Sequence, residues 1–131
     1  MNTLNIQTKK RSEFIDITAD VQKVVSSQKI NEGICVVFCP HTTTGLTINE
    51  NADPSVKKDI LNHLKELIPE DKAYSHSEGN SDSHIKSSLV GSSLNIIIEN
   101  KKLALGTWQG IYFCEFDGPR SRNVFIKVIG G

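Results

Sequence analysis

Two short stretches concentrate side chains that can bind ions or move protons. The first, HTTTGLTINENADPS at residues 41–55, sets His41 ahead of three threonines and crowds Asn49, Glu50, Asn51 and Asp53 together at its end. The second, HSEGNSDSH at residues 76–84, holds His76, Glu78, Asp82 and His84 within nine residues. Imidazole and carboxylate are the donors that hold zinc and similar divalent ions without thiolates. Neither stretch carries HExxH or paired CxxC spacing, and no PCxxC follows the H-x-E of HSE, which sets aside a zinc deaminase. Spacing alone leaves two readings of the second stretch open. It is a metal site built on His76 and His84, or a polar loop before a helix that Ser81 or Asp82 caps, with the histidines bonded to backbone. His41 directly follows a strand candidate, where functional groups collect, and a distant third ligand is the usual way an open metal site is completed. His63, between Asn62 and Leu64 in an amphipathic segment, reads as a surface or boundary residue.

Three cations are candidates for holding an anion: Lys86 in HIKSS, and Arg120 and Arg122 in DGPRSRN. A helix starting over Ser81–His84 would add free backbone N–H groups for a phosphate. The competing reading of DGPRSRN is a solvated turn. The one tryptophan, Trp108, lies between two glycines in GTWQG. Glycine lets backbone approach closely, so the indole could floor a pocket for a flat ring, or it could be a core residue with its N–H satisfied.

The elements that must position these residues follow from pattern. LNIQTK and EFIDIT alternate apolar and polar residues and read as a hairpin around Lys10–Ser12. From Asp20, VQKVVSSQKI places Val21, Val24, Val25 and Ile30 at helical spacing. GICVVFCP (33–40) is β-rich with no polar face and reads as a central buried strand. Cys35 and Cys39 within it lie about 13 Å apart at about 3.3 Å per residue, too far for a disulfide or a shared metal, so both read as core residues. GLTINE (45–50) is a further strand. Asp53–Pro54 is a helix start, an acidic N-cap with proline at the first helical position; Val56, Ile60, Leu61, Leu64, Leu67 and Ile68 give an apolar face over 54–67, and Pro69 ends it. EDKAYSHSEGNSD is a polar loop. SDSHIKSSLVG is a short helix ending at Gly91, with Ile85, Leu89 and Val90 on one side. LNIIIEN and LALGTW form a hairpin about a Lys-Lys turn, and GIYFCEF and NVFIKVIG are strands joined by DGPRSR.

These elements, without regular βαβ alternation, give an α+β fold: one domain over 1–131, a β-rich sandwich of mainly antiparallel strands with about three helices. The 131 residues carry 15 Lys+Arg against 15 Asp+Glu, which excludes a surface acting as one electrostatic footprint for nucleic acid. The N-terminus lacks a signal-peptide core and no run reaches the ~18 apolar residues of a membrane helix, so no membrane association is expected. Three cysteines without paired spacing fit a reducing compartment, and the expected location is the cytoplasm.

HTTTGLTINENADPSV, HSEGNSDSHIKSSLVGSSL and LALGTWQGIYFCEFDGPRSR resemble the signature blocks of the YjbQ-like family. The resemblance spans nearly the whole chain, and the first 30 residues are the least distinctive. It implies a compact β-rich α+β fold and a homotrimer with polar pockets where subunits meet. It further implies a divalent metal, zinc in the first instance, held by His41, His76 and His84. Glu50, Asp53 and Glu78 are the implied catalytic acids. The residue types themselves make Thr42, Thr43, Asn49, Lys86, Trp108, Arg120 and Arg122 the candidate substrate contacts. The activity attached to the family is that of a thiamine-phosphate synthase, a transferase joining a pyrimidine pyrophosphate to a thiazole phosphate with release of pyrophosphate. A cation on the leaving group suits such a reaction. The alternative is a non-catalytic trimer that binds a metabolite or a metal.

Overall fold

The computed structural model describes all 131 residues. In chain order the elements are β1 (Asn2–Gln7), β2 (Glu13–Asp16), α1 (Thr18–Ser27), β3 (Gly33–Phe38), β4 (Thr44–Glu50), α2 (Pro54–Leu67), α3 (Ser81–Val90), β5 (Ser93–Glu99), β6 (Lys102–Leu103), β7 (Gln109–Glu115) and β8 (Ser121–Gly130). They form a five-stranded sheet, β1-β8-β3-β5-β6, and a three-stranded sheet, β2-β7-β4. Every ladder is antiparallel. No helix is long and apolar enough to cross a membrane.

The main core lies between the two sheets, where Cys35, Val37, Ile96, Ile98, Val124 and Ile126 of the larger sheet meet Leu46, Ile111 and Phe113 of the smaller, with Val21 and Val25 of α1 closing one side. Strand β7 is buried on both faces. Ile111 and Phe113 point into that core, while Tyr112, Cys114 and the following Phe116 join Phe14 in a second cluster under Ile60, Leu61 and Leu64 of α2 and Val90 of α3. The expectation of a doubly buried strand therefore belongs to β7. Strand β3 is central in its sheet, but only Cys35 and Val37 turn inward; Ile34 and Phe38 are 47% and 41% exposed on the outer face. All three cysteines are free and buried, and burial pushes the Cys35 thiol up to about 11, leaving it neutral.

The expected β1–β2 hairpin does not form. Strand β1 pairs with β8 and β2 with β7, so Thr8–Ser12 carries the chain from one sheet to the other. Thr8 fixes this crossing: it is buried, its N–H donates to the Arg120 carbonyl (3.0 Å), and its hydroxyl donates to Glu115 Oε1 (2.8 Å). Alternation marks a half-buried strand without naming its partner. The β5–β6 hairpin does form, one residue earlier than expected: Glu99 pairs with Lys102, and Asn100 and Lys101 are the turn residues, both with positive φ, but β6 is only Lys102–Leu103 and the rest of LALGTW is not strand. Helix α2 starts and stops where Asp53, Pro54 and Pro69 place it, and the Asp53 carboxylate accepts from the Ser55 N–H (2.9 Å).

Two buried ion networks hold the end of the sandwich nearest α3. At the first, Arg122 of β8 donates through Nε and Nη2 to the two oxygens of Glu115 of β7 (2.8 and 2.6 Å), and Nη2 also donates to the Thr43 hydroxyl (2.8 Å). At the second, Arg11 grips Asp82 of α3 through both terminal nitrogens (3.1 and 3.2 Å), and Lys86 donates to the same carboxylate (3.1 Å). Asp82, Ser83, Lys86 and Ser87 are thus the buried face of α3. Ser83 donates to the Phe116 carbonyl and Ser87 to that of Thr44. The expected apolar side of this helix faces outward, with Ile85 42% and Leu89 62% exposed; only Val90 turns in. Gly45 lets α3 approach β4, since a Cβ there would stand 2.9 Å from the Gly91 carbonyl and from Val90 Cγ1.

Removing one partner of a buried, hydrogen-bonded pair strands the other charge, at about 3–5 kcal/mol. Arg122→Met is therefore expected to lower stability by about that amount, read as a fall in the urea midpoint at fixed protein concentration; an unchanged midpoint refutes the assignment. The acid limit follows from the same groups. Burial pushes the Glu115 and Asp82 carboxyls up, but bonds from Arg122, Asp117 N–H and Thr8 to the first, and from Arg11 and Lys86 to the second, outweigh it; both lie below their ordinary 4.5 and 3.8. With folded values depressed, their stabilisation is present above the ordinary values and is lost as pH falls through the depressed ones. Stability measured by circular dichroism is expected to drop below pH 4.5, and Glu115→Gln is expected to flatten that slope.

Candidate functional site

The loop before α3 and its first turn bring two histidines together. Gly79, at φ +78°, turns the chain after Glu78 so that Asn80 caps α3 from outside and its carbonyl accepts the Ser83 N–H (3.0 Å). The His76 and His84 rings then stand perpendicular with centroids 5.4 Å apart. Glu78 Oε2 lies 3.6 Å from His76 Nε2. Tyr74, tied by its hydroxyl to the Pro69 carbonyl (2.6 Å), completes a groove of about 400 Å³ with Ser75, His76, Ser81, His84 and Ile85. A second, adjoining groove shares His84 and is lined by Thr42, Ser87, Ser88, Gly91 and Ser92. Parts of the two signature stretches therefore meet, at Thr42 and His84.

His41 has a different partner. Its Nε2 accepts the backbone N–H of Asn123 (2.9 Å), which fixes the neutral ring with its proton on Nδ1 and ties the β3–β4 connection to β8. Burial, then the charge of nearby Arg122, holds the His41 imidazole below its ordinary 6.5. No group of three or more His, Cys, Asp or Glu side chains is arranged to hold a metal ion. The protomer supplies a histidine pair, short of the three protein donors of an open zinc centre.

The remaining candidates separate into other places. Strand β4 runs from Thr44, opposite Glu115, to Glu50, opposite Gln109, so its two ends stand roughly 20 Å apart at about 3.4 Å per residue. Glu50, Asn49 and Trp108 cluster at the far end: the Asn51 N–H donates to the Trp108 carbonyl (3.0 Å), the Glu50 carbonyl accepts the Tyr112 hydroxyl (3.1 Å), and Asn49 Oδ1 accepts the Glu50 N–H (2.7 Å). Trp108 is 63% exposed, neither a core residue nor a wall of the histidine groove. Asp53 serves as the α2 cap, one carboxylate oxygen accepting the Ser55 N–H. The residues 41–55 thus do not form one wall within a protomer.

The expected anion cluster of Lys86, Arg120 and Arg122 is likewise not assembled. Arg122 is buried on Glu115 and Thr43, so Thr43 serves that network too. Arg120 folds back on Asp117 (3.1 Å). Lys86 follows His84 by two residues, about 200° around a helix, and so leaves the histidine face. That separation was readable from spacing, as was the Asp82–Lys86 pair at i,i+4. The parts played by Arg11 and Glu115 had no local signal, because their partners are 71 and 7 residues away in another element.

Comparison with known proteins places these observations. The family model described as "UPF0047 protein YjbQ-like" matches residues 2–131. A UPF0047 protein of Methanocaldococcus jannaschii is 58% identical over 125 residues, 95% of this chain and 91% of that protein. YugU of Bacillus subtilis is 54% identical over 131 residues, 99% of each. Among solved structures, an uncharacterized conserved YjbQ/UPF0047 protein from Clostridium acetobutylicum superposes with a TM-score of 0.97 at 57% identity, covering 98% of this chain and 100% of that one. A protein of unknown function from Sulfolobus solfataricus gives 0.95 at 29% identity, covering 99% and 96%. With the family's blocks, fold and full length all matched, the chain belongs to the YjbQ-like UPF0047 family.

Proposed function

We propose that this protein is a cytoplasmic, trimeric, metal-binding protein in which His76 and His84 hold a divalent ion, zinc in the first instance, and His41 of a neighbouring subunit completes the set. The observation that carries the reading is the close pair of perpendicular imidazoles in an open groove, ring centroids 5.4 Å apart. Two further features support it. The pair sits beside the outward apolar side chains Ile85 and Leu89, which a second subunit would cover. His41, unable to join the pair within the protomer, keeps Nδ1 as its other ring nitrogen; coordination there requires that nitrogen to be deprotonated or the ring to turn. The unpaired buried thiols support a reducing compartment.

The chemistry we assign is group transfer on a phosphorylated small molecule, and the thiamine-phosphate synthase reaction implied by the family resemblance is the first to test. A bound divalent ion would supply charge stabilisation for a leaving pyrophosphate. The chain's own groups would orient and solvate the substrate: Ser81 and Thr42 by hydrogen bonding from the groove walls, Glu78 as the carboxylate next to the pair. The second reading, a non-catalytic metabolite- or metal-binding trimer, is favoured by one observation, the separation of Glu50 and Asp53 from the histidine groove along β4 and its following turn.

Elemental analysis of untagged protein purified without chelator is expected to give about one zinc per chain, lost in His76→Ala/His84→Ala. Absence of metal after loading refutes the site. Product formation from the two thiamine precursors by loaded protein would establish the transferase, and tight precursor binding without turnover would establish the second reading. The intersubunit arrangement has its own test. His41→Ala and His76→Ala/His84→Ala are each expected to lack zinc, while trimers reassembled from equal amounts of both are expected to regain about a quarter of the sites. Zinc retained by His41→Ala places His41 outside the metal set, and no recovery in the mixture overturns the intersubunit arrangement.

A further inference from the structure

On the face of α3 opposite the histidines, a cleft of about 350 Å³ opens between the β1–β2 crossing, α2 and the buried side of α3. Its walls carry four cations, Lys10, Arg11, Lys65 and Lys86, against one carboxylate, Glu70. Asp82 underlies the floor, bonded to Arg11 and Lys86. Four positive charges against two negative leave the site doubly positive. Leu61, Leu64 and Phe116 supply an apolar wall.

Lys86 is the unusual member. Its side chain is only 5% exposed, yet of its three N–H donors one is taken, by Asp82 Oδ2 at 3.1 Å. A buried ammonium with donors to spare, opening onto a cleft, is a poor arrangement for stability alone. Arg11 is pre-set beside it by the fork it makes with Asp82, and its Nε lies 3.3 Å from the carboxylate of the exposed Glu70. An incoming anion can displace the Glu70 contact without disturbing the buried Asp82 pair. Lys10 and Lys65, both exposed at the rim, raise the local concentration of anions.

We propose that this cleft binds a small phosphate monoester, its phosphate between Lys86 and Arg11 at the floor and its apolar or ring-shaped body against Leu61, Leu64 and Phe116. The volume lies within the range of small-molecule sites, and a dianion matches the surplus charge. The cleft is separate from the histidine groove and stands or falls without it: Lys86 and His84 share a helix but not a face.

The test is a titration of the full-length, isotope-labelled protein with inorganic phosphate and with phenyl phosphate at constant ionic strength, followed by amide shifts. Saturable shifts are expected at Lys10–Ser12, Asn62 and Lys65, with a Kd below about 1 mM for phenyl phosphate and weaker binding for phosphate, which lacks the ring. Lys10→Glu/Lys65→Glu, at two exposed rim positions, is expected to weaken binding by about tenfold or more, while Lys23→Glu/Lys29→Glu, which changes net charge equally elsewhere, leaves it unaltered. His76→Ala/His84→Ala is expected to bind as the parent does. Lys86→Met is expected to abolish phosphate binding, with Asp82 still held by Arg11. No saturation by ~10 mM, equal loss in the two charge-reversal variants, or shifts centred on Ser81 and His84 would each overturn the proposal.

Discussion

The contact on which the arrangement turns is the buried ion pair between Glu115 and Arg122. Arg122 stands near the start of β8, an inner strand of the larger sheet, and Glu115 closes β7, the middle strand of the smaller, so the pair is the rivet between them. Its value is geometric. Replacing both partners with apolar residues of matching shape can cost little, whereas removing one is expensive, so such a pair fixes how the sheets meet more than how strongly. Glu115 also gathers the Thr8 hydroxyl and the Asp117 N–H, which sets the crossing from β1 to β2 and the turn into β8. Arg122 reaches the Thr43 hydroxyl and so sets the loop that carries His41. Burial lowers the basicity of that histidine, and the Arg122 charge lowers it further, which keeps the imidazole neutral and accepting from Asn123.

Helix α3 is a consequence of this constraint and of the second pair. Its inward face is Asp82, Ser83, Lys86 and Ser87, every one of them bonded to a neighbouring element or to its own turn. A polar face can be buried only where each group is satisfied. Here Arg11 arrives from the strand crossing to neutralise Asp82, and backbone carbonyls of Phe116 and Thr44 accept from the serines. One helix therefore presents three surfaces: histidine to one groove, lysine to an opposite cleft, and leucine and isoleucine to the outside.

Local signals carried most of the fold. Strand and helix spans followed from period, and the ends of α2 from Asp53, Pro54 and Pro69, because those rules depend on residues a few positions apart. The local departures are one-residue shifts, in the β5–β6 turn and in the α3 cap at Asn80; the larger ones are non-local. Alternation in β1 and β2 could not reveal that they join different sheets, and the apolar run of β3 looked like that of β7 although only β7 is covered on both faces. On α3, the shared side of Ile85 and Leu89 is legible from spacing but not its direction; the Asp82 ion pair with Arg11 turns the polar face in and leaves both exposed. The site followed the same division. His76 and His84 meet because a short loop and one helical turn join them. Glu50 and Asp53 stay away from the pair because the seven residues of β4 lie between, a distance the sequence itself contains, whereas His41 is turned to the Asn123 N–H.

That inside-out helix also bears on how the chain meets its surroundings. Hydrophobic side chains exposed singly need no explanation, but these are not single. Ile34 pairs across β3 with both Ile97 and Ile129, giving a row of three isoleucines over three adjacent strands, 47%, 66% and 50% exposed. Phe38 stacks on Phe125 two pleats along the same face, at 6.5 Å between ring centroids. A second outward patch, Ile85 and Leu89, borders the histidine pair. Under the trimer proposed above, covering the second patch would bring another subunit's polar loops to the one groove that lacks a third donor. In that arrangement the incomplete donor set and the uncovered leucine and isoleucine would have a single cause: each subunit would hold part of a site whose remainder its neighbour carried.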